Sequence, residues 1–451
     1  MKHWTPQQVA EAAGARLIAV PAGGDGPDRI TIDSREVGTG ALFVGLPGTS
    51  VHGGAFAVAA RTAGAWGVLT TPQFAEAVDP GAGAVLSAED PLAALQRLAR
   101  AWRRELGATV IGVTGSTGKT STKDLLLALL AGERATVASR ANFNTEIGVP
   151  LSILSAPTGT EILVLEMAMR GLGQIAELAA VAEPDVGVIV SVGPVHLELL
   201  GSVEAIAAAK AELIAALPAG GTAVIPAGEP LLEPHRRPGL RTVTFGAGGD
   251  VRFEREDGAR VVIDAAGERI ELEVPFMQAH LRTDLLAAVA AARAAGVTPR
   301  GRVGLVLTAG RGESVAVAGG VTVIDGCYNA NPMSMRAALT DLAVTARRTG
   351  ATRRVAVLGD MLELGPGAAS YHRELGGLAA AAGVDVLVTV GPLAAQIAER
   401  FEGETRSYRD AAQAAAAVGG LVARGDLVLV KGSLGVGLRR VCDALGVGSP
   451  A

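Results

Sequence analysis

Ile111-Gly112-Val113-Thr114-Gly115-Ser116-Thr117-Gly118-Lys119-Thr120-Ser121 is the stretch around which the chain is organised. The apolar run 109–113 predicts a buried strand, and residues 124–130 predict a helix after the loop. A glycine-rich loop between a strand and a helix surrounds phosphate groups with backbone N–H donors. Lys119 would reach the β/γ-phosphate oxygens, and the Thr120 hydroxyl would suit Mg²⁺. We therefore predict a nucleotide phosphate loop formed by Thr114, Gly115, Ser116, Thr117, Gly118, Lys119, Thr120 and Ser121.

The loop departs from the full G-x-x-x-x-G-K-[ST] pattern, because Val113 stands where that pattern has its first glycine. What remains is Gly115-x-x-Gly118-Lys119-Thr120. Glycine accounts for 60 of the 451 residues, so a plain glycine-rich turn with a surface lysine is the alternative interpretation. The strand before the loop and the helix after it favour the phosphate loop, because they are the context that the motif requires.

Composition limits the classes of protein that the chain can represent. A net charge of −5 argues against bulk nucleic-acid binding, which favours a basic surface. Aromatic residues make up 3% and much of the apolar content is alanine, so helices packed through small side chains are expected. We expect no membrane span, because no apolar run reaches about 18 residues, and no signal peptide, because the start Met1-Lys2-His3-Trp4-Thr5-Pro6 lacks an apolar core. Cys327 and Cys442 are the only cysteines, which excludes a disulfide framework and fits a reducing cytoplasm.

The order of predicted strands and helices indicates an α/β fold with three domains. We predict a small N-terminal α/β domain over 1–83, a central ATPase-like domain with a parallel sheet over 84–310, and a Rossmann-like domain over 311–451. Residues 221–274 carry short strands that suggest an antiparallel insertion. In the N-terminal domain, Asp33-Ser34-Arg35 follows a strand. A turn with a solvated arginine is the favoured interpretation there, and an anion contact is the alternative.

Two polar residues follow strands of the predicted central sheet. Glu166 ends the strand predicted over 162–165, and His196 comes shortly after the strand over 186–192. Ligands of open parallel sheets gather at the carboxyl ends of the strands, so both residues should share an edge with Lys119. They are candidate Mg²⁺ ligands, and an exposed Glu with a capping His is the alternative. Lys210 lies on a helix predicted over 202–217. Its sequence context taken alone predicts a lysine exposed at the surface.

Several segments together resemble the Mur ligases, ATP-dependent amide-forming enzymes of peptidoglycan precursor synthesis. The general signals are the phosphate loop, Glu166, His196 and the Lys210 helix. Two stretches resemble the branch that adds D-alanyl-D-alanine: Asp325-Gly326-Cys327-Tyr328-Asn329-Ala330-Asn331-Pro332 and Leu358-Gly359-Asp360-Met361-Leu362-Glu363-Leu364-Gly365. The segment 142–150 also matches that branch, and the resemblance covers nearly the whole chain.

The resemblance implies a ligase that uses ATP and Mg²⁺. ATP would phosphorylate the terminal carboxylate of UDP-N-acetylmuramoyl-tripeptide. The amine of D-alanyl-D-alanine would then attack the acyl phosphate, and ADP and phosphate would leave. The expected partners are these two substrates, with no nucleic acid, and the expected state is a cytoplasmic monomer. The remaining interpretations are another amide ligase of the same superfamily, including the folylpolyglutamate type, or a catalytically silent nucleotide-binding partner.

The resemblance also implies roles for particular residues. Lys119, Glu166, His196 and Lys210 would be catalytic, with Thr120 and Glu166 at one metal ion and His196 and a carbamylated Lys210 at the other. The nucleotide would also contact His280, Tyr328, Asn329 and Asn331. The substrate would contact Asn142 and Asn144 near the reacting group, and Ser34 and Arg35 at the uridine diphosphate.

Two departures from the family pattern affect the nucleotide site. The usual His-Asn-x-x-Asn is His280-Leu281-Arg282-Thr283-Asp284 here, so both amides are absent and weak discrimination between purine bases is expected. The usual Lys-Gly-Ser-Arg ends in Leu434, and Arg439 is a candidate to supply the missing arginine contact.

Overall fold

The computed structural model describes residues 1–20, 24–79, 81, 83–306, 308 and 310–448. In this part of the chain, three β-sheets of five, ten and six strands follow one another along the sequence, with helices between their strands. This confirms the predicted α/β architecture built on three sheets. Among the described residues, no helix combines the length and the apolar character that crossing a bilayer requires.

The first sheet corrects the predicted boundary between the first two domains. Its strands are β1 (Arg16–Ala19), β2 (Arg29–Thr31), β3 (Ala41–Val44), β4 (Gly67–Thr70) and β5 (Ala84–Ser87), and its helices are α1 (Pro6–Ala13), α2 (Ala57–Thr62) and α3 (Pro72–Ala75). The strand order is β1-β5-β4-β3-β2. All four residues of β5 are buried, and β5 pairs in parallel with β4 and antiparallel with β1. The N-terminal sheet therefore includes β5, which a boundary at 83/84 assigns to the central domain.

The phosphate loop follows a parallel strand in the interior of the central sheet. Its strands are β6 (Thr109–Thr114), β7 (Thr136–Ala138), β8 (Ile162–Glu166), β9 (Val186–Ile189), β10 (Thr222–Pro226), β11 (Arg241–Phe245), β12 (Val251–Asp257), β13 (Arg260–Ala265), β14 (Glu268–Glu273) and β15 (Gly301–Arg302), in the order β15-β14-β13-β12-β11-β10-β9-β6-β8-β7. Val113 of β6 is in register with Glu166 of β8 and with Val188 of β9. The carboxyl ends of these three strands therefore meet at one edge, as predicted.

The predicted antiparallel insertion over 221–274 is only partly correct. β10 pairs in parallel with β9, and β11 pairs in parallel with β10, so both strands extend the main sheet. The antiparallel part is limited to β12, β13 and β14. The helix before β10 provides the physical reason, because a crossover of this length allows the chain to return in the parallel direction.

Seven helices of the described chain belong to the central domain: α4 (Pro91–Leu106), α5 (Lys119–Leu130), α6 (Gly148–Leu154), α7 (Gln174–Ala182), α8 (Leu197–Leu200), α9 (Val203–Ala216) and α10 (Ala279–Ala294). α10 packs against α5 and is buried along most of its length. The buried side chains of α10 include a run of alanines over 287–292, interrupted by Val289. Small side chains allow this close packing, as the composition predicts. The packing of α10 against α5 places the start of α10, with His280 and Asp284, beside the phosphate loop.

The C-terminal sheet has the predicted Rossmann-like alternation. Its strands are β16 (Glu313–Val317), β17 (Val321–Gly326), β18 (Arg353–Gly359), β19 (Val386–Val390), β20 (Glu404–Tyr408) and β21 (Asp426–Lys431), in the order β16-β17-β21-β18-β19-β20, with helices α11 (Pro332–Thr349), α12 (Ala368–Ala381), α13 (Ala411–Val418) and α14 (Arg439–Ala444). Only β16 is antiparallel within this sheet as described. The segments that follow β17 and β18 contact the central domain through Asn331 and Glu363.

Candidate active site

The phosphate loop is fixed on both sides by hydrogen bonds. Gly118 adopts the left-handed conformation (φ +80°), and a Cβ atom there would fall 2.4 Å from Asp284 Oδ1, so this position requires glycine. The Ser116 hydroxyl donates to the Gly193 carbonyl at 3.0 Å, and the Thr117 N–H donates to Ser191 Oγ at 2.9 Å. The loop is therefore held against the segment that follows β9.

Lys119 begins α5 and points back over the loop. Its Nζ atom donates to the Gly115 carbonyl at 2.7 Å. Burial lowers the pKa of Lys119, and the nearby Arg311 charge lowers it further, while Glu166 opposes the shift. A half-buried ammonium group at the N-terminus of a helix provides strong attraction for a phosphate anion.

Glu166 accepts hydrogen bonds from two predicted site residues. Thr120 Oγ1 donates to one carboxylate oxygen at 2.9 Å, and Asn144 Nδ2 donates to the other at 2.8 Å. Glu166 is only 1% exposed. Hydroxyl and carboxylate oxygens are the hard ligands that Mg²⁺ prefers, so the Thr120 and Glu166 pair fits this ion.

His196 lies between β9 and α8 with a left-handed backbone (φ +52°). Its Nδ1 atom contacts a carboxylate oxygen of Glu363 from the C-terminal domain. Burial lowers the pKa of His196, the positive charges of Lys119 and Lys210 add to this, and Glu363 acts in the opposite direction. The lowered pKa favours the neutral imidazole, which is the form that binds metal ions.

Lys210 is buried, with 2% of its surface exposed, so the surface interpretation of this residue is wrong. It lines a small cavity of about 60 Å³ together with Lys119, His196 and Asn329. Burial lowers the pKa of Lys210 well below its ordinary value, and the charge of Lys119 lowers it further. Across the described ranges, its ammonium group has no hydrogen-bond or ion-pair partner. A buried lysine with a lowered pKa beside His196 fits the carbamate that the resemblance implies.

A cavity of about 790 Å³ lies between the central and C-terminal domains. A volume of this size accommodates a nucleotide together with part of a second ligand. Among the predicted site residues, its lining includes Ser116, Thr117, Gly118, Lys119, Ser121, Asn144, Glu166, His196, His280, Tyr328, Asn329 and Asn331. Gly115 lines the small cavity instead, and Thr114 and Thr120 are buried behind the loop.

Three predicted substrate residues lie outside both cavities. Ser34 and Arg35 form a short 3-10 turn capped by Asp33, and the Arg35 side chain is 88% exposed. Hydrogen bonds from Arg35 lower the pKa of Asp33 to about 2. Asn142 is exposed, and its carbonyl accepts the Asn144 N–H at 2.8 Å. In the described arrangement, Arg35 is therefore held by Asp33 at the surface, away from both cavities.

Two cations of the C-terminal domain line the large cavity and were not predicted as site residues. The Arg311 guanidinium lies over the Tyr328 ring, 4.0 Å from its centroid. Lys431 Nζ donates to the Asn329 carbonyl at 2.9 Å, and burial, helped by Arg311, lowers the pKa of Lys431 to about 8. The position of Lys431 at the carboxyl end of β21 was the available signal, because it matches the position of Glu166 on β8.

A histidine and an acidic residue at the start of α10, His280 and Asp284, lie near the phosphate loop, and Asp341 of α11 approaches His280. His280 Nδ1 lies 2.6 Å from Asp341 Oδ2, although the two atoms are not aligned for a hydrogen bond. Burial alone would lower the pKa of His280, but Asp341 and Asp284 outweigh it, and the pKa is raised. Burial raises the pKa of Asp284 to about 7. This group therefore titrates near neutral pH.

Two expectations about the departures from the family pattern need correction. Leu281 is 1% exposed and packs in the apolar core of the central domain, so an amide there would not face the nucleotide. Arg439 pairs with Asp325 at 2.9 Å and with Asp443 at 3.0 Å, and it lines neither cavity. Arg439 therefore does not replace the arginine that Leu434 lacks. The side chain at 281 packs inward because it lies on the face of α10 that covers the sheet.

Comparisons with known proteins agree with this geometry. Three family descriptions match the chain: "Mur ligase family, catalytic domain" over 28–103, "Mur ligase middle domain" over 113–292 and "Mur ligase, glutamate ligase domain" over 310–434. The UDP-N-acetylmuramoyl-tripeptide–D-alanyl-D-alanine ligase of Bacillus subtilis is 36% identical over 92% of this chain and 92% of its own length. The enzyme of that name from Mycobacterium tuberculosis (strain H37Rv) is 36% identical, covering 99% of this chain and 98% of its own.

Two solved structures extend the similarity to three dimensions. MurF from Acinetobacter baumannii superimposes with a TM-score of 0.86 at 26% identity, covering 99% of both chains. MurF ligase from Thermotoga maritima, in complex with ADP, gives a TM-score of 0.79 at 30% identity and covers 92% of this chain and 96% of its own.

Proposed function

This chain belongs to the Mur ligase family, and we infer that it ligates D-alanyl-D-alanine to UDP-N-acetylmuramoyl-tripeptide with ATP, in peptidoglycan synthesis. The product is the UDP-muramoyl pentapeptide, and ADP and phosphate are released. One observation carries this conclusion: relatives of this specificity match the chain at more than one third identity over nearly its whole length. The cavity beside the phosphate loop supplies the groups that the reaction needs.

The reaction must bring a carboxylate up to a triphosphate although both are anions. We propose that Lys119, Arg311 and Lys431 offset this repulsion, because all three cations line the same cavity. Lys119 would stabilise the charge that develops on the transferred phosphoryl group. Preorganised charges of this kind, placed in a site that excludes water, are usually the largest contribution to catalysis.

Two Mg²⁺ ions fit the remaining groups. We propose that Thr120 and Glu166 hold one ion, and that His196 and carbamylated Lys210 hold the other. When bound, Mg²⁺ supplies charge neutralisation and orients the phosphoryl oxygens. The carbamate would form when the neutral Lys210 amine attacks CO₂, creating an N–C bond and releasing one proton. The product is an anionic oxygen ligand, which explains why a lysine faces the metal site.

The substrates would then meet at the cavity. A carboxylate oxygen of the tripeptide would attack the γ-phosphorus and ADP would leave; the amine of D-alanyl-D-alanine would attack the acyl carbonyl and phosphate would leave. Asn142 and Asn144 would lie near the reacting carboxylate, and Ser34 and Arg35 would bind the uridine diphosphate. The nucleotide would contact His280 from the central domain and Tyr328, Asn329 and Asn331 from the C-terminal domain.

The three sheets would correspond to three functional units. We propose that the N-terminal unit, extended to β5, binds the UDP end of the substrate, while the central and C-terminal units bind ATP. We further propose that the enzyme acts as a monomer in the cytoplasm. All proposed contacts come from one chain, and Cys327 and Cys442 are both unpaired thiols, which suits a reducing compartment.

Phosphate release measured with ATP and UDP-N-acetylmuramoyl-tripeptide, with and without D-alanyl-D-alanine, tests this function. We expect sustained release only when the dipeptide is present, with one pentapeptide formed per phosphate. Release that is unaffected by the dipeptide but responds to a single amino acid would indicate another ligase of the superfamily. No release under any condition would contradict the assignment.

A further inference from the structure

Glu363 makes three polar contacts across the boundary between the C-terminal and central domains. It lies in the loop that follows β18. One oxygen of its carboxylate contacts His196 Nδ1, and the other contacts Arg170 Nη2. Its backbone carbonyl accepts the Glu198 N–H at 3.1 Å. A single residue of one domain therefore engages a proposed metal ligand, its neighbour and a cation of the other domain.

The backbone at this contact is unusual on both sides. Glu363 (φ +61°) and His196 (φ +52°) are two of the five non-glycine residues with positive φ in the described part of the chain. A non-glycine residue in this region is strained and persists only where its surroundings require it. The two strained residues touch each other, although they are separated by 167 positions in sequence.

The loop that carries Glu363 is fixed from within the C-terminal domain. The Met361 N–H donates to Nε2 of the fully buried His372 at 2.9 Å, and His372 Nδ1 lies 2.7 Å from the Ala368 carbonyl. The Leu362 N–H donates to Ser433 Oγ at 3.0 Å. The carboxylate is thus presented by a rigid loop and arrives at His196 only when the domain is docked.

The contact decides how His196 can bind a metal ion. A neutral imidazole that donates its Nδ1 proton to a carboxylate has its free electron pair on Nε2. Carboxylates in this position fix the tautomer and the ring orientation of metal-binding histidines. His196 lines both cavities, so its free nitrogen can serve the proposed site there.

We propose that Glu363 is a positioning residue that makes the His196 metal site dependent on docking of the C-terminal domain. Before docking, the His196 ring is free to adopt either tautomer and several orientations. After docking, Glu363 selects the Nδ1-protonated form and aims Nε2 at the metal. This inference rests on the proposed function, because it assumes a metal ion at His196.

The test compares substitutions that the left-handed backbone tolerates. Glu363→Asn suits positive φ but its short side chain does not reach His196, whereas Glu363→Gln keeps the reach and an acceptor oxygen. Arg170→Met removes the other arm of the contact and leaves the histidine pair intact. Glu374→Gln, an exposed acid on α12 without a hydrogen bond in the described chain, is the matched control for the loss of charge.

Binding of Mn²⁺ to the complex with a non-hydrolysable ATP analogue is measured by electron paramagnetic resonance. We expect Glu363→Asn to weaken one Mn²⁺ site by about 10–100-fold, as is typical when such a partner is lost. Glu363→Gln should retain most of the affinity, and Arg170→Met and Glu374→Gln should match wild type. If Arg170→Met and Glu363→Asn weakened Mn²⁺ binding equally, Glu363 would act only by holding the two domains together. This result would overturn the proposal.

The ¹⁵N spectrum of the histidine rings provides a readout that needs neither metal nor turnover. The chain has six histidines, so the His196 signals can be assigned from a His196→Gln spectrum. Wild type should show the Nδ1-protonated tautomer, and Glu363→Asn a mixture of tautomers. If wild type and Glu363→Asn gave the same spectrum, the proposal would be overturned. A positive phosphate-release assay would still support the proposed function in that case. Absence of Mn²⁺ binding to wild type would overturn both.

Discussion

ATP binding should weaken by about 16-fold between pH 7 and pH 8.5, because Asp284 ionises beside the phosphate loop. The carboxyl group is 4% exposed, and burial raises its pKa to about 7. It also touches the loop, since a Cβ atom on Gly118 would fall 2.4 Å from Asp284 Oδ1. An ionised carboxylate at this point repels the phosphates, so the nucleotide complex should require the neutral form.

The magnitude follows from the neutral fraction of Asp284. With a pKa of about 7, half of the molecules carry a neutral carboxyl at pH 7, and about 3% do so at pH 8.5. The ratio is about 16, equivalent to about 1.6 kcal/mol of binding free energy. Other groups of the cavity also titrate, among them Lys431 with a pKa of about 8, but Asp284→Asn keeps them and removes only the carboxyl. The ratio of the ATP-analogue affinities of wild type and Asp284→Asn, taken at each pH, therefore isolates the contribution of Asp284.

Calorimetric titration with a non-hydrolysable ATP analogue, at fixed free Mg²⁺ and ionic strength, measures the effect. Asp284→Asn should lack this component of about 16-fold, and its affinity should keep only the pH dependence of the other groups in the cavity, such as Lys431 with a pKa of about 8, and of the nucleotide itself. Identical pH profiles in the two proteins would refute the reasoning. The free energy of unfolding offers a second check. The folded state holds the Asp284 proton more tightly than the unfolded chain, in which the pKa of this carboxyl is 3.8. The stability contributed by this group therefore falls as the pH rises from about 4 to about 7. Asp284→Asn should therefore have the higher Tm at pH 8.

Three further predictions concern the catalytic groups and the domains. Lys119→Ala should lower kcat for phosphate release by at least about 10²-fold with an unchanged far-ultraviolet spectrum, by analogy with loss of one preorganised donor; activity within about threefold of wild type would exclude that role. Lys210→Ala should be inactive and partly restored by added short carboxylates, which replace the carbamate oxygens, whereas a fully active variant would disprove a metal-facing role. Small-angle scattering should give a smaller radius of gyration with nucleotide and tripeptide substrate together, because the proposed contacts of Arg35, Lys119 and Asn329 come from three domains; an unchanged radius at saturation would argue against closure.

Local patterns were enough to predict the edge of the sheet where the site lies. The phosphate loop, Glu166 and His196 all follow parallel strands, and the carboxyl ends of such strands meet whatever the details of packing. Polar strands are harder to predict from a local pattern. β12 and β20 carry several exposed charged or polar side chains, so their sequences resemble loops. Pairing with neighbouring strands decides the structure of these segments.

The environment of each side chain could not be obtained from local sequence. Lys210 indicates a surface lysine when taken alone, yet packing of α9 buries it beside His196. Leu281 occupies a position where the family has an amide, and only the packing of α10 shows that it faces the core. Glu363 gives no sign of its contact with His196, because that contact joins two separate domains. Burial and long-range partners are tertiary properties, and these residues derive their roles from them.

The positive charges of the cavity link nucleotide binding to the docking of the C-terminal domain. Lys119 belongs to the central domain, whereas Arg311 and Lys431 belong to the C-terminal unit, and the Arg311 charge contributes to the lowered pKa of both lysines. Without an anion, these charges repel one another across the boundary and oppose docking, which Glu363 favours. A triphosphate placed among them converts repulsion into attraction. Because binding linkage is reciprocal, the factor by which docking tightens ATP binding must equal the factor by which ATP favours docking.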